Sequence, residues 1–381
     1  MPQFNRRQFL QSSAAIGSLL ASGMGRTAGA ASEHIDTPVV DRVVIREITD
    51  NQHNIFLAPF ERSGLKVQRT GFPAAQQGKT LESEWGLALH IESTKGSESR
   101  RFLLDYGFTP DVYVNNLELL KIDPAAVDAL ILSHGHLDHW GGLIGFLDAR
   151  RGVMRKNLRL YTGGEDDFCH RFGRAPDGSF VDFGVLDRGK LKALNVELVL
   201  SETPIVIEEH AFTTGVVPRT SIEHVLPNTW VEYGVKDGVG CDSHAYMNHH
   251  FSADELAGKP QPDQHWHEHA TCFRLGDRGL VVISSCGHAG IVKTLKRAQE
   301  ISGVEKIYTR WAAFTWRQRR RTTCAKSWPN STSSISNTSC PCIAAGRILS
   351  IWPRRRCRKN WFFAGPVVAS RLPPSRAASP R

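Results

Sequence analysis

Between Leu132 and His139 the chain reads Leu-Ser-His-Gly-His-Leu-Asp-His, which sets His134, His136, Asp138 and His139 in the pattern H-x-H-x-D-H. An apolar run, Val127 to Leu132, leads into it, and Gly141-Gly142 follows. Alternate residues cannot share one face of a helix, but they can point together from a loop at the end of a strand. Apart from Asp128 the lead-in run is short and apolar, as a strand covered on both faces requires. The fold must therefore place a buried strand so that its last residues open into a cavity.

The residue types indicate what that cavity holds. Imidazole nitrogens suit zinc, iron or manganese, and a carboxylate adds a harder oxygen donor. His134 and His136 can hold one ion, while Asp138 and His139 turn toward a second. Two divalent ions about 3.5–4 Å apart clamp a hydroxide between them and lower its pKa for attack. Zinc is the expected metal, with iron or manganese as alternatives, and Asp138 is the candidate catalytic carboxylate.

Further pieces fit the same plan. Phe102-Leu103-Leu104-Asp105-Tyr106-Gly107 ends a strand on an acid, and Gly163-Gly164-Glu165-Asp166 follows the strand Leu158 to Thr162. Ser285-Cys286-Gly287-His288-Ala289-Gly290 closes the apolar strand Leu280 to Ser284, which makes His288 the best further ligand. Together with the histidine loop, these stretches resemble the metallo-β-lactamase superfamily. Cys-Gly-His-Ala-Gly points to the branch that includes dihydropterin (ribofuranosylaminobenzene phosphate) synthase-like proteins. The resemblance runs from near Val43 to near Thr309. It implies an α/β fold, a four-layer αββα sandwich with its C-terminal part incomplete. It also implies that Asp105 lies under the metal site and braces the ligand loop, as outer-shell carboxylates do. His134, His136 and His288 would hold one ion, and Asp138 and His139 the other, with His288 able to serve either. The implied activity is a metal-dependent hydrolase whose metal-bound hydroxide attacks an ester, amide or phosphoester of a small-molecule substrate. A transferase-type synthase acting on a pterin and a phosphoribosyl compound is the alternative, and an iron-based redox role stays open.

Taken in order, residues 1–31 read as an export signal. Asn5-Arg6-Arg7-Gln8-Phe9-Leu10 fits the twin-arginine pattern, a weakly apolar run spans Ala14 to Leu20, and Ala28-Gly29-Ala30 offers small residues for a peptidase. The twin-arginine machinery is thus an expected partner, and the mature chain is expected to be periplasmic or extracytoplasmic. The metallo-β-lactamase-like domain is placed at 41–308. Its predicted elements are strands Val43–Thr49, Trp85–Ser93 and Arg101–Asp105, with a turn at Lys95-Gly96-Ser97, and helices Val112–Leu120, Gly141–Ala149 and Gly290–Gln299. Asp50 ends the first strand and is a possible pocket residue. Cys169, His170 and Arg171 follow the Gly-Gly-Glu-Asp loop and are placed beside the pocket or on the surface. Residues 234–269 read as a long loop over the mouth. In it His265, His267 and His269 alternate, with His267 and His269 as possible pocket residues in a segment that is as readily solvated. Cys169, Cys241, Cys272 and Cys286 show no disulfide-like spacing.

The last 70 residues depart from this pattern. Residues 306–381 hold 16 of the 47 Lys and Arg and no Asp or Glu, so the body is acidic and the tail alone makes the net charge +9. A nucleic-acid partner would rest on that tail only, and no membrane span is expected once the leader is removed. Residues 309–381 read as a basic, disordered arm, loosely packed and without strands that complete the second sheet. A lost nucleotide near Thr309 accounts for it. Ala312-Ala313-Phe314-Thr315-Trp316 can be written GCG GCT TTC ACC TGG. Shifted back one base behind a G, the same letters give Gly-Gly-Phe-His-Leu. Pro341–Gly346 and Pro366–Leu372 hide Pro-Met-His-Cys-Ser-Gly and Gly-Ser-Arg-Phe-Thr-Phe in the same register. All three strings suit the branch, and the first would carry a late ligand histidine.

Overall fold

The computed structural model describes residues 34–52, 58–69, 78–225, 229–245 and 251–311, with backbone alone at 313–314, 342–343 and 367–369. The leader expected at 1–31 and most of the tail lie outside these residues.

Two sheets carry the fold. In the larger, nine strands run in the order Val196–Leu200, Leu158–Thr162, Ala129–Ile131, Glu98–Leu104, Ala88–Lys95, Arg42–Thr49, Val367–Ala369, Leu65–Arg69 and Phe60–Arg62. The first four pair in parallel and the rest are antiparallel. The smaller sheet runs Val206–Ile207, Ala211–Thr213, Thr271–Leu275, Leu280–Ile283 and Ile307–Trp311, with Val39–Val40 alongside Thr271–Leu275.

Side chains alternate across each strand, and the alternation builds the layers. Phe102, Leu104, Ala129 and Ile131 face the other sheet and meet Phe273, Val281, Ile283 and Trp311. Leu103, Leu130, Leu158 and Leu160 point the other way, onto Tyr113 and Leu117 of the helix Pro110–Leu119 and onto Leu143, Phe146 and Leu147 of the helix Leu143–Arg150. Cys272, Leu280 and Val282 cover the far side of the smaller sheet with Ile291, Leu295, Ala298 and Ile301 of the helix Ile291–Ser302. Helix, sheet, sheet and helix thus stack in four layers. Truncating a side chain as fully buried as Phe102 to alanine costs about 3–5 kcal/mol.

The predicted strands and helices appear within a few residues of their expected bounds, and the hairpin turns at Lys95-Gly96. The parallel strands all end at one rim, where Asp105 follows Leu104, Ser133-His134 follow Ile131, and Gly163 follows Thr162. The strand Leu280–Ile283 brings Ser285 to His288 to the same place.

Three expectations need correcting. The domain does not stop at Tyr308. Ile307–Trp311 is a full strand parallel to Leu280–Ile283, and Ser284 N–H donates to the Trp311 carbonyl at 2.8 Å. The tail does supply a strand, since Val367–Ala369 bridges Arg42–Thr49 and Leu65–Arg69. Ladder pairing asks for free N–H and C=O groups along an edge, and Val367-Val368-Ala369 is a short apolar run with two β-branched residues inside the otherwise basic tail. Finally, residues 234–269 are not one loop. They hold the hairpin Gly234–Lys236 with Val239–Cys241, a capped turn of helix at Ala253–Leu256 and the strand Gln261–Pro262.

Candidate metal centre

Asp105 is the base of the site. It adopts φ 60°, a left-handed conformation that a non-glycine residue takes up only under constraint. The turn aims its carboxylate back under the histidine loop. Ser133 N–H and Ser133 Oγ–H donate to it at 2.8 Å, Ser285 Oγ–H donates at 2.6 Å, and His139 Nδ1 lies 2.7 Å away. One buried carboxylate therefore ties the ligand loop to both sheets and fixes the His139 ring.

His136 caps the short helix Leu137–Trp140 through extended backbone, so the chain turns just after its ring is placed. Gly135 is required beside it. A Cβ there would come within 2.7 Å of Arg171 Nη1 and 2.9 Å of Asp167 Cα. His134, His136 and His288 each offer a nitrogen within 4.8 Å of the others'. Their ring centroids stand 4.7 Å (His134–His136), 5.0 Å (His134–His288) and 4.7 Å (His136–His288) apart. His134 Nδ1 sits 2.8 Å from Ser133 Oγ, while His134 Nε2 and His288 Nε2 are buried with no hydrogen-bond partner. Burial holds the pKa of both rings well below the ordinary histidine range, helped by the neighbouring imidazoles. Neutral rings with bare, buried nitrogens could hold a metal ion, because a buried polar atom otherwise finds a partner.

The second cluster is His134, His139 and Cys286. His139 Nε2 lies 3.1 Å from Cys286 Sγ and 3.6 Å from Asp138 Oδ2, and Asp138 Oδ1 is buried without a partner. Burial raises the Cys286 thiol to about 11 against the pull of His139. For His139, burial disfavours the cation, but Cys286, Asp138 and Asp105 outweigh it and hold its pKa well above the usual range.

His265, His267 and His269 are buried, not solvated. The backbone of this segment lies against Gly163, where any Cβ would collide with the His267 carbonyl. Asp166 Oδ2 takes His267 Nδ1 at 2.6 Å, leaving His267 Nε2 bare and aimed inward beside His134, ring centroids 6.0 Å apart. Burial and the adjacent Arg171 lower the His267 pKa to about 4. His265 packs against His136 and His288 at 4.9 and 4.1 Å. His269 Nε2–H donates to the Leu132 carbonyl at 2.8 Å, and His269 joins no metal-competent group among the described residues.

Arg171 organises this second loop. Fully buried, it reaches Asp263 Oδ2 from Nε at 2.9 Å, and from Nη2 the Asp166 carbonyl at 2.7 Å and His267 Nδ1 at 2.9 Å. Its Nη1 donates to the carbonyl of Cys169. Burial opposes ionisation of Asp263, but His265 and Arg171 hold its carboxyl well below the usual range. Asp166, Asp263 and His267 form one further metal-competent group, and His136, Asp263 and His265 another. Asp263 carried no sequence signal beyond two prolines nearby.

Several expectations fall elsewhere. Asp50 is buried, with burial raising its carboxyl to about 7, yet it belongs to none of these groups among the described residues. His170, on the strand His170–Arg174, pairs with Asp182 at 2.9 Å and joins none of these groups among the described residues. Cys169 and Cys241 form a disulfide with Cα atoms 4.5 Å apart across 72 residues, which corrects the reading that their spacing excludes one. Spacing speaks only for short loops, whereas here the fold brings the hairpin strand Val239–Cys241 onto the Glu165–Phe168 turn. Among the described residues no helix is long and apolar enough to cross a membrane.

Residues 93–168 match the model of the Metallo-beta-lactamase superfamily. The 7,8-dihydropterin-6-methyl-4-(beta-D-ribofuranosyl)-aminobenzene-5'-phosphate synthase of Methanocaldococcus jannaschii is 27% identical over 231 residues, 59% of this chain and 69% of that protein. An RNase J-like protein of the same organism is 46% identical over 55 residues, 14% of this chain and 11% of that protein. A solved structure described as a metal-dependent hydrolase of the beta-lactamase superfamily aligns with a TM-score of 0.48 and 18% identity, covering 75% of this chain and 81% of that one.

Proposed function

We propose that this chain, which carries a metallo-β-lactamase superfamily domain, is a metal-dependent hydrolase of a small ester, amide or phosphoester. His134, His136 and His288 would hold one divalent ion, and His139 and Asp138, beside Cys286, would face a second. The observation that carries this reading is the convergence of His134, His136 and His288, whose nitrogens lie within 4.8 Å of one another, with Nε2 of His134 and of His288 buried and without a partner among the described residues. Imidazole with one carboxylate and one thiol suits zinc best, with iron and manganese as weaker fits. When bound, such ions activate water and polarise a carbonyl or phosphoryl oxygen.

The chain's own residues do the rest. Asp105 fixes the His139 ring through Nδ1, and Asp166 fixes His267 in the same way, with Arg171 holding Asp166 through its backbone carbonyl. Asp138 Oδ1, buried and without a partner among the described residues, would take a proton from water and pass it to a leaving group. The test is metal analysis of the purified chain beside hydrolysis of phenyl acetate, a lactone and a nitrophenyl phosphodiester. Two ions per chain and metal-dependent turnover of one of these is the expected result. A chain that binds no divalent ion after incubation with zinc would overturn the reading.

A synthase-type activity is the second reading, favoured by the name of the 27%-identical relative. It predicts turnover of a reduced pterin with a phosphoribosyl compound and none of the simple esters. The twin-arginine pattern Asn5 to Leu10 argues against it, since those substrates are cytoplasmic, and the Cys169–Cys241 disulfide suits an oxidising compartment. Cell fractionation of the Arg6→Lys, Arg7→Lys double variant tests export, with retention in the cytoplasm expected. For the tail, a lost nucleotide near Thr309 remains our reading, and it carries a third possibility, an inactive product that binds acidic surfaces through its basic tail. Resequencing the gene there, and comparing metal occupancy of the frame-restored chain, tests both; unchanged occupancy would remove the case for a missing ligand.

A further inference from the structure

We infer that Trp85 and Phe183 form a subsite for a planar aromatic group of the substrate, an inference that rests on the hydrolase reading above. Trp85 is 52% exposed, which is unusual for a residue whose backbone is pinned so tightly. Gly86, at φ 135°, lies against the Asp138 carbonyl too closely for any side chain, and Leu87 N–H donates to that same carbonyl at 3.3 Å. On the other side Glu84 accepts from the backbone N–H groups of Phe108 at 2.8 Å and Thr109 at 3.0 Å. The indole therefore stands on a rigid mount directly over the histidine loop.

Its neighbours give it a direction. Trp85 stacks on Phe183 with centroids 5.4 Å apart and planes at 26°, and on Phe108 at 5.9 Å and 25°. Phe183 in turn meets the His136 ring edge-on at 5.8 Å. Phe183 is itself held by the loop that shapes the site, since its N–H donates to the Arg171 carbonyl at 2.9 Å. A path of aromatic faces thus runs from solvent at Trp85 to a candidate ligand at His136. Exposed apolar residues scattered singly need no explanation, and Val153, Ile222 and Leu256 are of that kind. Trp85 differs because its ring contact with Phe183 leads on to His136. A rigid aromatic face with its positive edge and negative face selects a second flat ring. The substrate class that follows is an aryl or heteroaryl ester, amide or phosphoester, with the ring against Trp85 and the scissile group toward His136 and His288.

The experiment uses phenylphosphonate and methylphosphonate as unreactive probes of the zinc-loaded full chain, with binding read by calorimetry. Phenylphosphonate is expected to bind about tenfold tighter, the scale of one aromatic stacking contact. In Trp85→Ala the ratio of the two affinities is expected to fall to about one, and in Trp85→Phe to stay within about threefold of the parent. Metal content is measured in every variant. Equal affinity for the two probes in the parent chain, or a preference that survives Trp85→Ala at full metal content, overturns the subsite. Failure of both probes to bind a chain that holds no zinc strikes the hydrolase reading itself, and the subsite falls with it.

Discussion

The two histidine segments of the site are built in opposite ways. His134 to His139 hangs from the end of a buried parallel strand and is braced from below by Asp105, a residue of the adjacent strand end. His265 to His269 follows only the two-residue strand Gln261–Pro262, paired with Trp230 and Val231. It is held from the side by Arg171, Asp166 and Asp263, from segments up to 97 positions apart along the chain (Asp166 to Asp263). The first segment takes its geometry from the backbone ladder and one carboxylate. The second takes it from an ion-pair network, which is satisfied only when every partner is in place. A ligand on a strand end is fixed early and locally, whereas a ligand on a network depends on the whole domain.

That difference predicts how each fails. His136→Ala should have the largest effect, abolishing tight binding of one ion, because a vacancy is left in a loop whose other ligands stay in place. Metal analysis after dialysis reads it, and two ions retained at unchanged affinity would end the ligand assignment. Arg171→Leu should cost about 3–5 kcal/mol of stability, since it strands the buried charges of Asp166 and Asp263. Chemical denaturation reads that loss, and a change under about 1 kcal/mol would mean that the second loop does not depend on the network.

A smaller effect should separate the loops more sharply. Asp166→Asn should weaken metal binding about 10–100-fold if His267 is a ligand, as loss of an outer carboxylate does. It should change only stability if His267 is a bystander. Competition against a chelator distinguishes the two, with Asp105→Asn as the reference for the first loop.

The smallest effect is in pH dependence of the metal-free chain, and its sign differs between the segments. His267 has its folded pKa lowered to about 4 from an ordinary value near 6.5, so the unfolded state takes up the proton first as pH falls. Its contribution is fully present above pH 6.5 and is lost toward pH 4. His139 has its folded pKa raised, so its contribution is present below the ordinary value and is lost as pH rises through the folded pKa. His267→Gln should flatten the acid side of the stability profile and His139→Gln the alkaline side. Denaturant midpoints from pH 4 to pH 9 check this, and identical slopes in both variants would contradict the contrast.

The same contrast explains what could be read in advance. H-x-H-x-D-H, the apolar strand before it, Asp105 at a strand end and His288 after another were legible because each is a local pattern tied to a strand terminus. The inward turn of His267 was legible only as an alternation with His265 and His269, and the neighbouring prolines made solvent as good an expectation. Asp263 and the hub role of Arg171 were not legible, since a lone Asp in a polar stretch and a single Arg on the strand His170–Arg174 carry no period or spacing. The Cys169–Cys241 pair failed for the same reason, with 72 residues between its members.

From the sequence alone came the layer order, the strand that opens the site, the metal-binding residue types and the acidic body with its basic tail. All of these rest on short-range chemistry: side-chain alternation, apolar runs and donor types repeated within a few residues. Tertiary structure alone decided which of the later histidines turn inward, which acids hold them, where Trp85 stands and where Val367–Ala369 inserts in the sheet. These depend on contacts between residues remote in the chain, whose free energy comes from burial and mutual satisfaction of charges and so exists only once both sheets have closed on each other.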